Sequence, residues 1–239
     1  MRKLLTSLLV MILVSGFFLI SSQEANAVPI TSSVSNPSFE DPVLLPPNYA
    51  TLGDLPDGTR TENNLIPGWG IIGAAGVYNP AAGYYAPPEE ATDGDNVAYL
   101  NTKDSVIGQW TQVKLNANSR YTLDVDVAGR GENASLRYGL EFWVQNPTNM
   151  DEFYEVVTVE GDVGEPGSWL SAPIQLIYDA EEKYVGWTLG IWLMNLTGSQ
   201  IVFDNVQLDV APVPEPATMF LLGSGLIGVG VFVRRKFKR

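Results

Sequence analysis

Tyr121-Thr122-Leu123-Asp124-Val125-Asp126-Val127-Ala128 decides the fold. Apolar and polar residues alternate one by one. Tyr121, Leu123, Val125 and Val127 therefore share one face, and Thr122, Asp124, Asp126 and Ala128 the other. A period of two means a strand with a single buried side.

The same parity runs outward in both directions. Toward the N-terminus, Val106–Leu115 is expected to be a strand carrying Ile107 and Trp110, with Asn116-Ala117-Asn118-Ser119 as the turn between. Toward the C-terminus, Leu136, Tyr138, Leu140, Phe142 and Val144 oppose Arg137, Gly139, Glu141, Trp143 and Gln145. Phe153–Val159 and Trp169–Tyr178 are further strands. Tyr184–Asn195 sends Val185, Trp187, Leu189, Ile191 and Leu193 inward, and Gly186, Thr188, Gly190, Trp192 and Met194 outward. Ile201–Val210 closes the series, a short strand follows Asp93-Gly94-Asp95-Asn96, and Val28–Val34 is an edge candidate. Asp41–Asn64 reads as one long Pro/Gly loop. Eight or so strands, no helix and frequent turns make an all-β sandwich.

The two ends lie outside that pattern. Arg2 and Lys3, the apolar run Leu4–Ile20 and Ala25-Asn26-Ala27 form a secretory signal helix, cut after Ala27. At the other end Ala217–Val233 is a run of 17 uncharged residues followed by Arg234-Arg235-Lys236-Phe237-Lys238-Arg239. At 1.5 Å per residue that run covers roughly 25 Å, a little short of a bilayer core, and the flanking arginines can snorkel outward to complete a single transmembrane helix. The division is signal 1–27, β-sandwich 28–212 and tail 213–239. Removing both ends takes away seven of the 14 Lys+Arg and two of the 27 Asp+Glu, leaving a net charge of −18. Such a surface repels nucleic acid and anionic lipid and attracts divalent cations.

Composition also narrows the chemistry. The chain has no cysteine, so an exported domain must rely on its core or on a metal. It has no histidine, which removes the commonest general base, the Ser–His and Cys–His systems and the usual zinc ligand. A non-catalytic role is expected. Asp124 and Asp126 share a face, but adjacent strand carboxylates are ordinarily just solvated, and a hydrolase pair is not expected. Asp93-Gly94-Asp95-Asn96 lacks the later ligands of an EF-hand.

Val213-Pro214-Glu215-Pro216, the apolar run and the basic end occur in the order of the PEP-CTERM sorting signal, which this tail resembles. That resemblance implies an exosortase partner, residence in the inner membrane before processing, and delivery to the cell surface or extracellular matrix of a Gram-negative bacterium. Asn36-Pro37-Ser38-Phe39-Glu40, Ile66-Pro67-Gly68-Trp69 and Phe203-Asp204-Asn205-Val206-Gln207-Leu208 resemble the opening and close of galactose-binding-like modules, many of which bind carbohydrate. The resemblance implies jelly-roll topology. It also implies a structural Ca²⁺ at Glu40 and Asp204, with carbonyls of the Asp93–Asn96 loop; the alternative is two carboxylates bonded to backbone in turns.

A ligand face follows from strand parity. Arg137, Glu141, Trp143 and Gln145 point outward on one strand and Trp192 on another. Rings of this kind stack on sugars while polar neighbours take the hydroxyls, so extracellular polysaccharide is the expected ligand. Asp124 and Asp126 could join the face, and Tyr84 and Tyr85 are weaker candidates. The competing reading makes the tryptophans a second core under loops or under the 41–64 segment. The second functional expectation is a structural biofilm or floc matrix protein acting by protein–protein association.

Overall fold

A computed structural model describes residues 28–29, 33–41, 43–44, 49–51, 66–80, 90–130, 136–178 and 183–213. The signal segment, Pro214–Pro216, the apolar run, the basic end, Tyr84 and Tyr85 lie outside them.

Twelve strands are present among the described residues. They are β1 (Val28–Pro29), β2 (Tyr49–Thr51), β3 (Gly70–Ile72), β4 (Ala75–Tyr78), β5 (Val97–Leu100) and β6 (Val106–Lys114). The rest are β7 (Ser119–Gly129), β8 (Arg137–Gln145), β9 (Phe153–Asp162), β10 (Leu170–Tyr178), β11 (Thr188–Asn195) and β12 (Ile201–Pro212). A seven-stranded sheet runs β10-β7-β12-β5-β4-β2, with β1 also on β12, and a five-stranded sheet runs β3-β6-β11-β8-β9. Every pairing is antiparallel. The all-β jelly-roll sandwich is the one expected.

The core lies between the sheets. Tyr121, Leu123, Val125 and Val127 of β7 meet Tyr138, Leu140, Phe142 and Val144 of β8, and Leu189, Ile191 and Leu193 of β11 join them. Burying a Leu, Val or Phe side chain stabilises by about 1.5–3 kcal/mol. β12 lies between β7 and β5, and Ile201, Phe203, Val206 and Leu208 enter the same core.

The opening and closing motifs meet. Trp69 Nε1 donates to the Asn36 carbonyl at 3.1 Å, and the Phe39 and Trp69 ring centroids are 5.3 Å apart. Both rings are buried, so the N-P-S-F-E and P-G-W stretches form one structural unit.

Three details depart from the sequence reading. β2 is a short strand within the segment read as the Asp41–Asn64 loop, and β3 and β4 also emerge. β11 begins at Thr188, and Val185 sits exposed in the turn before it. Gly186, at φ +86°, turns the chain there.

Candidate functional site

The outward residues of the five-stranded sheet form two facing rows. Across one row, Gly108 of β6 lies opposite Trp192 of β11, and Trp192 lies opposite Glu141 of β8. Across the next, Trp110 lies opposite Gly190, which lies opposite Trp143. The glycines make room for the rings. A Cβ on Gly108 would sit 2.8 Å from Trp192, and one on Gly190 would sit 2.2 Å from Trp192 and 2.6 Å from Trp110. The indoles therefore lie low on the sheet.

They pack into one cluster. Trp110 and Trp192 meet edge to face at 4.7 Å, Trp143 and Trp192 lie 5.6 Å apart, and Phe153 stands 5.8 Å from Trp143 and 6.2 Å from Trp110. The rings form a floor on the sheet. Trp110, Trp143 and Trp192 are half-buried and Phe153 is exposed, while most of the 41–64 segment that the competing reading lays over them lies outside the described residues.

Glu141 is the acid of this floor. It is 8% exposed, and its Oε2 accepts the Trp143 indole N–H at 2.6 Å. Burial pushes its carboxyl above the ordinary value; the indole N–H opposes the shift and the neighbouring Glu155 charge adds to it. Polar side chains stand around the rings. Lys114 Nζ donates to Thr188 Oγ1 at 2.5 Å, Gln145 Nε2 donates to the Met150 carbonyl at 2.8 Å, and Thr158 bonds Glu155.

Beside Trp110 and Trp192 opens a cavity of about 490 Å³, lined also by Gly68, Gly70, Ile71, Ile72, Val106, Gly108 and Gln109. Gln109 spends both ends of its amide on the Ser35 backbone, accepting from N–H at 2.9 Å and donating to the carbonyl at 3.1 Å. The cavity wall is otherwise glycine, aliphatic and indole.

Of the expected ligand face, Glu141, Trp143 and Trp192 come together and Gln145 stands at the rim. Arg137 does not join them. It lies four residues from Glu141 along β8 and pairs with Glu160 at 2.5 Å and Asp162 at 3.7 Å. Asp124 and Asp126 belong to β7 in the other sheet, so the suggestion that they share this face is corrected. Asp124 accepts from the Ser171 hydroxyl and Asp126 from the Asn205 amide. Trp110 and Phe153 were not singled out as ligand residues. The parity of β6, with Ile107 inward, was the signal for Trp110.

Glu40 and Asp204 reach the same loop. Glu40 Oε1 accepts the N–H groups of Asp95 and Asn96 at 2.9 and 2.7 Å. Asp204 is fully buried; its Oδ2 accepts the Thr92 N–H at 2.7 Å, the Asp93 N–H at 2.9 Å and the Thr92 hydroxyl at 3.0 Å. Its Oδ1 accepts the Asn205 N–H at 2.8 Å. Burial pushes this carboxyl up to about 6 against those bonds. The two side chains thus clasp the 92–96 loop to both ends of the domain through hydrogen bonds. For Ca²⁺ the donors are of the right kind, hard oxygens from distant segments, but among the described residues no three acidic side chains converge on a metal position.

A family described as HpiC1 cyclase matches residues 30–209, and the PEP-CTERM protein-sorting motif matches residues 212–236. Among solved structures, the Stig cyclase Fisc from Fischerella sp. TAU, in complex with (3Z)-3-(1-methyl-2-pyrrolidinylidene)-3H-indole, is 22% identical with a TM-score of 0.64. The match covers 79% of this chain and 100% of that one. An apo cyclase from Fischerella sp. is 22% identical over 80% of this chain and 100% of its own, with a TM-score of 0.59. The module TmCBM61, solved with beta-1,4-galactotriose, is 15% identical over 74% of this chain and 96% of its own, at 0.42. No curated protein matches.

Proposed function

We propose, for a chain that belongs to the HpiC1-like family and ends in a PEP-CTERM protein-sorting motif, an exported domain that binds extracellular polysaccharide on its tryptophan floor. The observation that supports it most is the cluster of Trp110, Trp143 and Trp192, with Lys114, Thr188, Gln145 and Glu155 standing around it. Pyranose faces stack on such rings, and a polar surround takes up hydroxyls. In this reading the sorting tail places the domain in the inner membrane of a Gram-negative bacterium, an exosortase removes the tail, and the product reaches the surface or matrix. Affinity electrophoresis in gels carrying β-linked glucans, galactans or the cell's own exopolysaccharide tests it. Trp192→Ala should weaken retention by roughly thirtyfold in Kd, about 2 kcal/mol. Retention that is absent, or indifferent to Trp143→Ala and Trp192→Ala, overturns it.

A second reading is catalytic, and Glu141 favours it. A buried carboxyl with a raised pKa beside indole rings can lend a proton to a bound ligand and take it back. Its family is described as a cyclase. One Fischerella cyclase is solved with 4-(1H-indol-3-yl)butan-2-one. Saturable quenching of tryptophan fluorescence by that compound, with turnover lost in Glu141→Gln, would select this reading.

Ca²⁺ belongs to the proposal at the clasp. Glu40 and Asp204 would hold it with carbonyls of the Asp93–Asn96 loop, and the ion would offset the acidic charge gathered around that loop.

A further inference from the structure

One end of the sandwich gathers the turn after β6, the loop from β8 to β9 and the approach to β11. Lys114, Thr188, Gln145 and Phe153 stand in register across it. The Leu115 N–H donates to the Trp187 carbonyl, and the Gly186 N–H to the Leu115 carbonyl. The chain also leaves here. Ser119 pairs with Pro212, and the Val213 N–H donates to the Asn118 carbonyl at 2.7 Å. Val28 pairs with Val210, so the segment before β1 departs from the same end.

Exposed apolar side chains concentrate at this end. Of eight exposed large apolar side chains among the described residues, five are here: Met150, Phe153, Tyr154, Ile177 and Val185. Met150 is 72% exposed and Val185 45%. Tyr154 stacks on Tyr184 at 5.7 Å, and Tyr184 meets Trp187 at 4.8 Å. Lys183 Nζ lies 5.1 Å over both tyrosine rings. Lys114, Arg120 and Lys183 stand at this end, offset by Asp151 and Glu152 and, flanking Lys183 in sequence, by Asp179, Glu181 and Glu182, so attachment here rests on the apolar side chains and not on net charge. Tyrosine, tryptophan and lysine around exposed aliphatics is the composition of a membrane–water interface, where the rings sit at headgroup level and the amines reach water and phosphate.

Distance makes the occupant specific. The uncharged run begins at Ala217, four residues after Val213. Four extended residues span at most about 14 Å, so this end is held against whatever the tail enters. We propose that the Met150/Tyr154/Val185 end is a lipid-docking surface. It seats the domain on the bilayer that holds its own tail and presents the sorting motif at a fixed height above the membrane. The inference rests on the sorting-tail part of the proposed function, and Lys114, Thr188, Gln145 and Phe153 border both this end and the tryptophan floor.

The chain has no cysteine, which makes single labels clean. Met150→Cys, Val185→Cys, Ile72→Cys and Leu170→Cys, each in the full chain with its tail, are labelled with nitrobenzoxadiazole. They are placed in nanodiscs of zwitterionic phosphatidylethanolamine and phosphatidylcholine, which do not repel the acidic domain, containing a headgroup-region spin-labelled lipid. Labels at 150 and 185 should shift to the blue and be quenched by the spin label, while those at 72 and 170 should report water. Co-purification with the discs but no quenching at 150 and 185 overturns the docked end alone. A blue shift that follows protein concentration without lipid quenching also overturns it, in favour of a second copy. Failure to co-purify at all overturns the tail reading as well.

Discussion

Acidifying the domain in EDTA, from about pH 7 to about pH 5, should stabilise it, and Asp204→Asn should abolish that gain. Asp204 is buried, and its carboxyl is raised from 3.8 to about 6 despite four hydrogen bonds to its oxygens. The folded state therefore binds this proton more tightly than the unfolded chain does. The resulting stability is fully present below the unfolded value and is lost as pH rises through the folded one. Roughly two pH units correspond to about 3 kcal/mol in full. About 1.3 kcal/mol of this is recovered between pH 7 and pH 5, a Tm rise of roughly 3–5 °C. Urea titrations followed by tryptophan fluorescence at both pH values, for wild type and variant, give the differential directly. Glu141 and general charge repulsion act in both proteins and cancel in the difference. Parallel pH dependence in the two would refute the reasoning. A bound divalent cation would hold the carboxylate ionised and reverse the slope, so the same titration in Ca²⁺ reads the metal independently.

The remaining predictions are more local. Gly190→Ala forces a methyl against Trp192 and Trp110, so the near-UV circular dichroism of the ring cluster should change and ligand retention should fall, at a cost of about 1–3 kcal/mol in stability. An unchanged aromatic spectrum would count against the packed floor. Gly94→Ala places a Cβ 2.5 Å from the Glu40 carboxylate at φ +77°, and denaturant melts should show a loss of about 1–3 kcal/mol. In thermal melts, EDTA should lower Tm and Ca²⁺ restore it, by about 2.7 kcal/mol at a hundredfold excess over Kd; no shift would assign the clasp to hydrogen bonds alone.

Much of this was legible because long strands bury one face. β7, β8 and β11 carry three or four inward positions each, and parity alone placed Trp143, Trp192 and Glu141 on the outward side. The short strands were not legible. Three or four residues at β2, β3 and β4 show no period, and Pro and Gly flank them. Parity cannot say which sheet a strand joins, so Asp124 and Asp126 could be assigned to the wrong surface. Nor does it show that Arg137, though on the correct side, is held by Glu160 and Asp162 instead of the rings. Val185 failed for a different reason: its parity fits β11, but Gly186 turns the chain before the strand begins.

The position of β12 sets an order of events during export. Among the described residues it is the last strand in sequence, yet it sits inside the seven-stranded sheet, between β7 and β5 and against β1. Until residues 201–212 have crossed, β5 and β7 lack their shared neighbour and the core lacks Ile201, Phe203, Val206 and Leu208. On the export route proposed above, a chain threaded out from its N-terminus would stay open through nearly the whole passage. It closes only when the final strand arrives, with the sorting motif immediately behind it. Completion of the sandwich and arrival of the motif are one step, so a chain stalled or truncated before residue 201 offers the secretion machinery an unfolded substrate rather than a half-built domain.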